Sequence, residues 1–215
     1  ASMDPKLRRV LITACTMTAT VMQALDTTIA NVALPYMQGS LSASLDQINW
    51  VLTSYIVAAA IMTAPMGWLS DRFGRKKLFL ITLGVYAVAT VLTAFAPNPA
   101  WYFACRFLTG AGIGGEYAAI NSAIDELIPA HYRGRVDIVI NGSFWVGAVG
   151  GALLTIPLLD PTLVNPAIGW RLAFGLGAVL AVAVLLVRRN VPESPRWLFI
   201  HGREREGDRI VTDIE

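Results

Sequence analysis

Residues 67 to 77 read Gly67-Trp68-Leu69-Ser70-Asp71-Arg72-Phe73-Gly74-Arg75-Lys76-Lys77, with five charges among the seven positions from Asp71 to Lys77. This knot of charge stands between two apolar runs, Ile48 to Ser70 and Leu78 to Ala96. Each is close to the ~20 mostly apolar residues that cross a bilayer as a helix. The same alternation repeats outward along the chain. Six segments qualify as spans: Val10 to Pro35, Ile48 to Ser70, Leu78 to Ala96, Trp101 to Leu127, Val136 to Leu159 and Arg171 to Val187. Loops are expected at Tyr36 to Gln47, Asp71 to Lys77, Pro97 to Ala100, Ile128 to Arg135 and Asp160 to Trp170. The composition agrees. Of 215 residues, 55% are hydrophobic and 15% are charged, where a soluble domain carries about 25% charged. Disordered, collagen-like and disulfide-scaffold classes are excluded, and an all-α membrane protein is expected.

The loops are sided. Fifteen of the 17 Lys and Arg residues fall on one side: Lys6, Arg8 and Arg9; Arg72, Arg75, Lys76 and Lys77; Arg133 and Arg135; and Arg188, Arg189, Arg196, Arg203, Arg205 and Arg209. The other side has only Arg171, at a helix edge, and Arg106 lies inside a span. An excess of basic residues marks cytoplasmic loops. The expected plan is therefore a cytoplasmic tail over 1–9, a six-helix bundle over 10–187 and a cytoplasmic tail or linker over 188–215, multi-pass in an inner or plasma membrane with both termini cytoplasmic. The first span is too long for a cleaved leader, carries Asp26, and has no small-residue cleavage site after it. The pI near 8.7 reflects these loops and not a nucleic-acid surface. Cys15 and Cys105 both fall in spans and read as buried thiols. Asn141-Gly142-Ser143 matches a glycosylation sequon inside a span, a chance match. No nucleophile elbow, phosphate loop, HExxH or CxxC is present, so neither an enzyme, a metal nor a cofactor is expected.

The stretch from Gly67 to Lys77 resembles, nearly in full, the loop 2–3 signature of the major facilitator superfamily, in which Gly-x-Leu-x-Asp-Arg-x-Gly-Arg is followed by Arg or Lys. It falls between spans two and three, where that family has it. The resemblance implies one six-helix half of a transporter, an inverted 3+3 repeat, with the substrate site between two such bundles. Leu25-Asp-Thr-Thr-Ile-Ala-Asn-Val-Ala-Leu-Pro35 resembles the first-helix signature of 14-helix drug:proton antiporters, continuing through Gln47-Ile48-Asn49-Trp50-Val51. Farther on, Gly114-Gly115-Glu116-Tyr117, Glu126-Leu-Ile-Pro129-Ala-His-Tyr-Arg133-Gly134 and Pro192-Glu193-Ser194-Pro195-Arg196-Trp197-Leu198 resemble sugar and metabolite:proton symporters. The run Gly147-Ala148-Val149-Gly150-Gly151 lacks the proline of the antiporter signature in helix five. The change of resemblance suggests a join between residues 78 and 100.

Asp26, Arg106 and Glu116 are the ionisable residues well inside spans, where charges are expensive and usually functional. Asp26 lies about 12 Å from the outer end of its helix and Arg106 about 8 Å from the outer end of span four. An Asp26–Arg106 pair is therefore possible. Protonating Asp26 would weaken it and free the helices; the alternative is a permanent structural pair. Glu116 is about 15 Å deeper than Arg106 and is a candidate proton acceptor or substrate contact, or a carboxylate satisfied by packing. Asn31, Gln23 and Trp145 are candidates to line the cavity, with a hydrogen bond between helices the equal alternative for Asn31. Trp50, Trp101 and Trp170 suit an aromatic belt at the outer interface. Gly110, Gly112, Gly114 and Gly115 suit close helix packing. The resemblance makes Gly67, Asp71, Arg72, Gly74 and Arg75 a conformational latch. Glu126, Arg133 and Arg135, joined by Glu193 and Arg196, are candidates for a cytoplasmic gate network, the alternative being a solvated anchor to anionic lipid. The implied activity is proton-coupled transport of a small metabolite or sugar-like solute by alternating access. The alternatives are drug:proton antiport and a non-transporting six-helix subunit. The implied partners are a small-molecule substrate, protons, the lipid bilayer and a second six-helix bundle.

Overall fold

The computed structural model describes residues 5–188 and 193–214. The described residues are built from nine helices: α1 (Pro5–Leu41), α2 (Leu45–Thr63), α3 (Met66–Phe73), α4 (Arg75–Ala94), α5 (Pro99–Leu127), α6 (Ala130–Leu158), α7 (Pro166–Arg188), α8 (Pro195–Ile200) and α9 (Glu204–Ile214). Within them α1, α2, α4, α6 and α7 each hold a stretch long and apolar enough to cross a membrane. The sixth long helix is α5, which carries Arg106 and Glu116 and packs between α2 and α4. Of the basic tails, residues 1–4 and 189–192 lie outside the described residues, as do the side chains of Lys6, Arg8, Arg9 and Arg188.

Several boundaries differ from the hydropathy reading, each for a local reason. The first helix runs six residues past Pro35, because Met37 and Leu41 beyond it are buried against Ile48, Val51 and Trp170. The chain then reverses through Ser42 at φ 53°. The helix α2 starts at Leu45 under a capping box, in which the Ser44 hydroxyl accepts from the Gln47 amide and the Gln47 side chain accepts from the Ser44 amide. The second span is not one straight helix but α2 and α3, interrupted around Ala64 and Pro65, since proline cannot donate the bond that would continue it. The loop expected over Ile128 to Arg135 shrinks to Ile128 and Pro129. Pro129, at the N-cap of α6, accepts from the Tyr132 amide, and Arg133 and Arg135 lie on the first turns of that helix. The sixth span starts at Pro166, five residues before Arg171.

Packing follows an exchange rule. The helix α1 lies against α6 and α7, α5 lies against α2 and α4, and α4 meets α7. Swapping the first three spans (α1, α2, α4) for the second three (α5, α6, α7) maps α1–α6 onto α2–α5, α1–α7 onto α4–α5, and α4–α7 onto itself. α1 leaves the basic end of the bundle where α5 arrives at it, so the two repeats run in opposite directions. The interfaces are close because small residues sit in them. A Cβ on Gly110 or Gly114 would fall 2.2 Å from the carbonyl oxygen of Tyr55 or Ala59 on α2, and one on Gly147 of α6 would fall 2.6 Å from that of Val21 on α1. Outward positions such as Ile81, Val85 and Val88 on α4, and Val179, Val182 and Leu186 on α7, are exposed and apolar, as a lipid-facing surface requires.

The end opposite the basic loops is tied by aromatic and carbonyl contacts. Trp170 is fully buried, so it is not part of an interfacial belt. Its indole donates to Ser40 Oγ at 3.0 Å and its ring meets Tyr102 and Phe174 edge-on. Trp50 and Trp101 are exposed. Arg171 stacks on Trp170 and donates to the carbonyls of Ala94 and Ala96, holding the start of α7 to the end of α4. Cys15 and Cys105 are buried thiols and form no disulfide.

Candidate functional site

The centre of the bundle holds an ion pair between the first helices of the two repeats. Asp26 on α1 and Arg106 on α5 meet in a fork: Nη1 donates to Oδ1 at 3.1 Å and Nη2 to Oδ2 at 2.5 Å. Both side chains are almost entirely excluded from solvent, at 0% and 1% exposure. Two parallel charge-assisted bonds give this pair both strength and fixed orientation. The guanidinium also faces two rings, with Cζ 4.9 Å from the centroid of Tyr55 on α2 and 5.2 Å from that of Phe174 on α7. Tyr55 is steadied by a hydroxyl–hydroxyl hydrogen bond of 3.3 Å to Thr27. Gln23, one turn before Asp26, is buried, and Glu116 is fully buried on α5, within electrostatic reach of the Tyr55 hydroxyl. Asn31 lies on the exposed side of α1, its amide donating to the Thr27 carbonyl at 2.9 Å, and Trp145 is exposed on α6.

The second constellation is at the basic end. Arg75, in the first turn of α4, pairs with Glu126 near the end of α5 and donates to Ser194 Oγ at 2.8 Å. Ser194 in turn donates to the other Glu126 oxygen and caps α8 by accepting from the Trp197 amide. The Glu193 carboxylate accepts from the Lys76 amide at 2.8 Å, placing negative charge at the α4 N-terminus, where the helix dipole favours it. Gly74 makes that approach possible: its φ is +89°, and a Cβ there would lie 2.7 Å from Glu193 Oε2. Asp71 is half-exposed, 3.9 Å from Arg75. Arg75 thus joins what the sequence divides into a latch and a gate network.

Other members of those two groups lie elsewhere. Arg72 stacks over Trp68 and Phe73. Arg133 donates to the Ile128 carbonyl at 2.9 Å, and Arg135 and Arg196 are exposed. Among the described residues no ion pair includes Arg133, Arg135 or Arg196. Around Gly67 a Cβ would meet nothing within 4 Å, so close packing inside this bundle is not its role. Ser194 holds three partners at once, and Ser194→Ala is expected to cost about 1–2 kcal/mol from the lost cap and charge-assisted bond. Limited proteolysis of the α7–α8 junction measures it; cleavage as slow as in the wild type would mean that Ser194 bridges nothing of consequence.

A family model described as Major Facilitator Superfamily matches residues 16–210. The chain belongs to the major facilitator superfamily. The niacin transporter NiaP of Acinetobacter baylyi is 36% identical over 193 residues, covering 89% of this chain and 42% of that protein. Organic cation/carnitine transporter 7 of Arabidopsis thaliana is 34% identical, covering 90% of this chain and 37% of its own length. Among solved structures, the partially occluded inward-open xylose transporter XylE of E. coli superposes with a TM-score of 0.86 at 21% identity, covering 95% of this chain and 55% of that chain. The chain spans less than half the length of these curated relatives and corresponds to the N-terminal six-helix half of a major facilitator. Because one relative aligns over 193 residues, the alignment crosses residues 78–100, where the change of resemblance suggests a join. These relatives are named as transporters, not enzymes.

Reading the sequence did not single out Tyr55, Phe174 or Trp170 as neighbours of the site, and it gave Ser194 no role of its own. Ser194-Pro195 is a legible N-cap followed by proline at the first helical position. Nothing local marks Tyr55 or Phe174, which reach Arg106 from two other helices.

Proposed function

We propose that this bundle is the N-terminal half of a proton-coupled transporter of a small polar solute, working by alternating access against a second six-helix bundle. The observation that carries the reading is the fully buried Asp26–Arg106 fork between α1 and α5. A charge pair taken out of solvent in the membrane interior is costly to keep, and it changes character when one proton is added. With Asp26 ionised, the fork locks α1 to α5. Protonation of Asp26 removes one of the two charges and loosens the lock, so the packing of the two repeats becomes proton-dependent. Glu116 and the exposed Asn31 are proposed to face the transport route. Asp71, Arg72, Gly67 and Gly74 with Arg75, and the network of Glu126, Glu193 and Ser194, are proposed to hold the basic end closed in one state, with Arg133, Arg135 and Arg196 serving contacts made in the other. The basic end is assigned to the cytoplasm by its charge. Relatives named for niacin and for myo-inositol support a small polar metabolite as the solute, and symport is the mode we propose for it.

The test is uptake into proteoliposomes holding the full native polypeptide under an imposed pH gradient, with labelled nicotinate and myo-inositol as probes. Asp26→Asn is expected to abolish gradient-driven accumulation while leaving solute exchange at equal concentrations. Accumulation by Asp26→Asn with an unaltered pH profile would remove Asp26 from the coupling step.

A further inference from the structure

Arg106 is held on more than its carboxylate side. Tyr55 and Phe174 present ring faces to its guanidinium at 4.9 and 5.2 Å, from two helices that do not carry the ion pair. Phe174 is itself clamped, 1% exposed and meeting Tyr102 and Trp170 edge-on at centroid distances of 6.3 and 6.2 Å. Trp170 is anchored in turn to Ser40. The Nε of Arg106 is buried with no hydrogen-bond partner among the described residues, so the aromatic faces are the principal further surface offered to its charge.

We infer that Tyr55 and Phe174 form a cation–π seat that holds Arg106 when Asp26 is protonated, so that these two rings are positioning residues for proton binding. The inference rests on the coupling role proposed for Asp26. Once the carboxylate is neutralised, the guanidinium remains buried without its counter-ion, which is the expensive half of a broken buried pair. An arginine over aromatic faces away from water regains a substantial part of that loss. The rings favour the protonated state because the guanidinium, no longer drawn toward the carboxylate, settles more closely on them than it does in the fork. They also keep Arg106 in place on α5, so that the fork reforms when the proton leaves. The other ionisable groups facing the pair are the Tyr55, Tyr86 and Tyr102 hydroxyls and the Cys105 thiol, with Glu116 farther along α5 acting on Tyr55. Among the residues described in α6 and α7, no ionisable side chain is recorded against Arg106, and Phe174 is the contact from α7.

The test is a pH titration of the Asp26 carboxylic C=O band by difference infrared spectroscopy, on the full native polypeptide in lipid nanodiscs. The band is assigned by its loss in Asp26→Asn. Phenylalanine analogues of increasing fluorination at position 174 keep the ring's shape and drain its negative face, so the fold is preserved while the attraction is removed. The titration midpoint is expected to fall stepwise along the series, by about one pH unit at its end. Phe174→Leu is expected to fall as far, while Phe174→Tyr stays near the wild type. A midpoint that does not move along the fluorinated series, in proteins whose Asp26 band still titrates, overturns the seat and leaves the coupling role of Asp26 standing. An Asp26 band that never titrates in the wild type overturns the coupling role and the seat with it.

Discussion

Arg106→Met is expected to destabilise the bundle by about 3–5 kcal/mol, because it strands the Asp26 carboxylate in a fully buried site. The loss should grow with pH, since a carboxyl left in an apolar interior escapes its cost by taking up a proton. Adding Asp26→Leu to the same chain is expected to recover much of the stability, as replacement of a whole buried pair by apolar groups often does. Reversible unfolding of the two variants in mixed micelles, followed at several pH values, reads both effects. A single variant that costs no more than about 1 kcal/mol at every pH would mean that Asp26 is not ionised beside Arg106. The pair would then be a plain hydrogen-bonded contact, and the proton-dependent lock between α1 and α5 would lose its basis. The double variant should fold and still fail in gradient-driven accumulation, which separates stability from coupling.

Gly110→Val and Gly114→Val are expected to cost at least ~3 kcal/mol each, toward and beyond the upper end of ordinary overpacking. The obstacle is backbone and not a movable side chain: Cβ atoms at these positions would lie 2.2 Å from the carbonyl oxygens of Tyr55 and Ala59. The two glycines are four apart and so share a face of α5, and that whole face of contact with α2 has to open. Tyr55 belongs to the same interface, so displacement of α2 also withdraws its ring from Arg106. The yield of monodisperse protein and its melting temperature measure the first effect. Gly84→Val makes the comparison, since a Cβ there meets nothing within 4 Å. Equal melting temperatures for the Gly110, Gly114 and Gly84 variants would contradict the close α2–α5 approach.

Some of the site was legible because membrane burial makes single residues conspicuous. Asp26 and Arg106 stand out in apolar runs, and the rise per residue along a helix places them at similar depths. The glycines of α5 read as packing residues because a cluster of small residues in a span has few other uses. The basic end was harder. Arg75 and Glu126 are 51 residues apart, and Ser194 is 119 from Arg75. Nothing in either neighbourhood names the other, so the latch and the gate read as separate groups when one guanidinium belongs to both. Trp170 misled for a related reason: at a span's edge it suits a lipid interface, and only the packing of α7 against α1 and α4, with the ring set edge-on to Tyr102 of α5, puts it inside.

Hydropathy, charge asymmetry and a dense run of signature residues determined the membrane class, the six spans, the alternation of ends and the family, because each of these depends on local composition that the bilayer itself reads. Where helices start was partly local too, as the Ser44 box and the Asn98 cap with Pro99 illustrate. Only the tertiary structure decided that α1 continues past Pro35, that the second span is interrupted around Pro65, and that Tyr55 and Phe174 face Arg106. Those outcomes turn on contacts among helices far apart in the chain. The pairing of α1 with α6 and of α5 with α2 brings such side chains together in space, and no local pattern encodes the distance at which they meet.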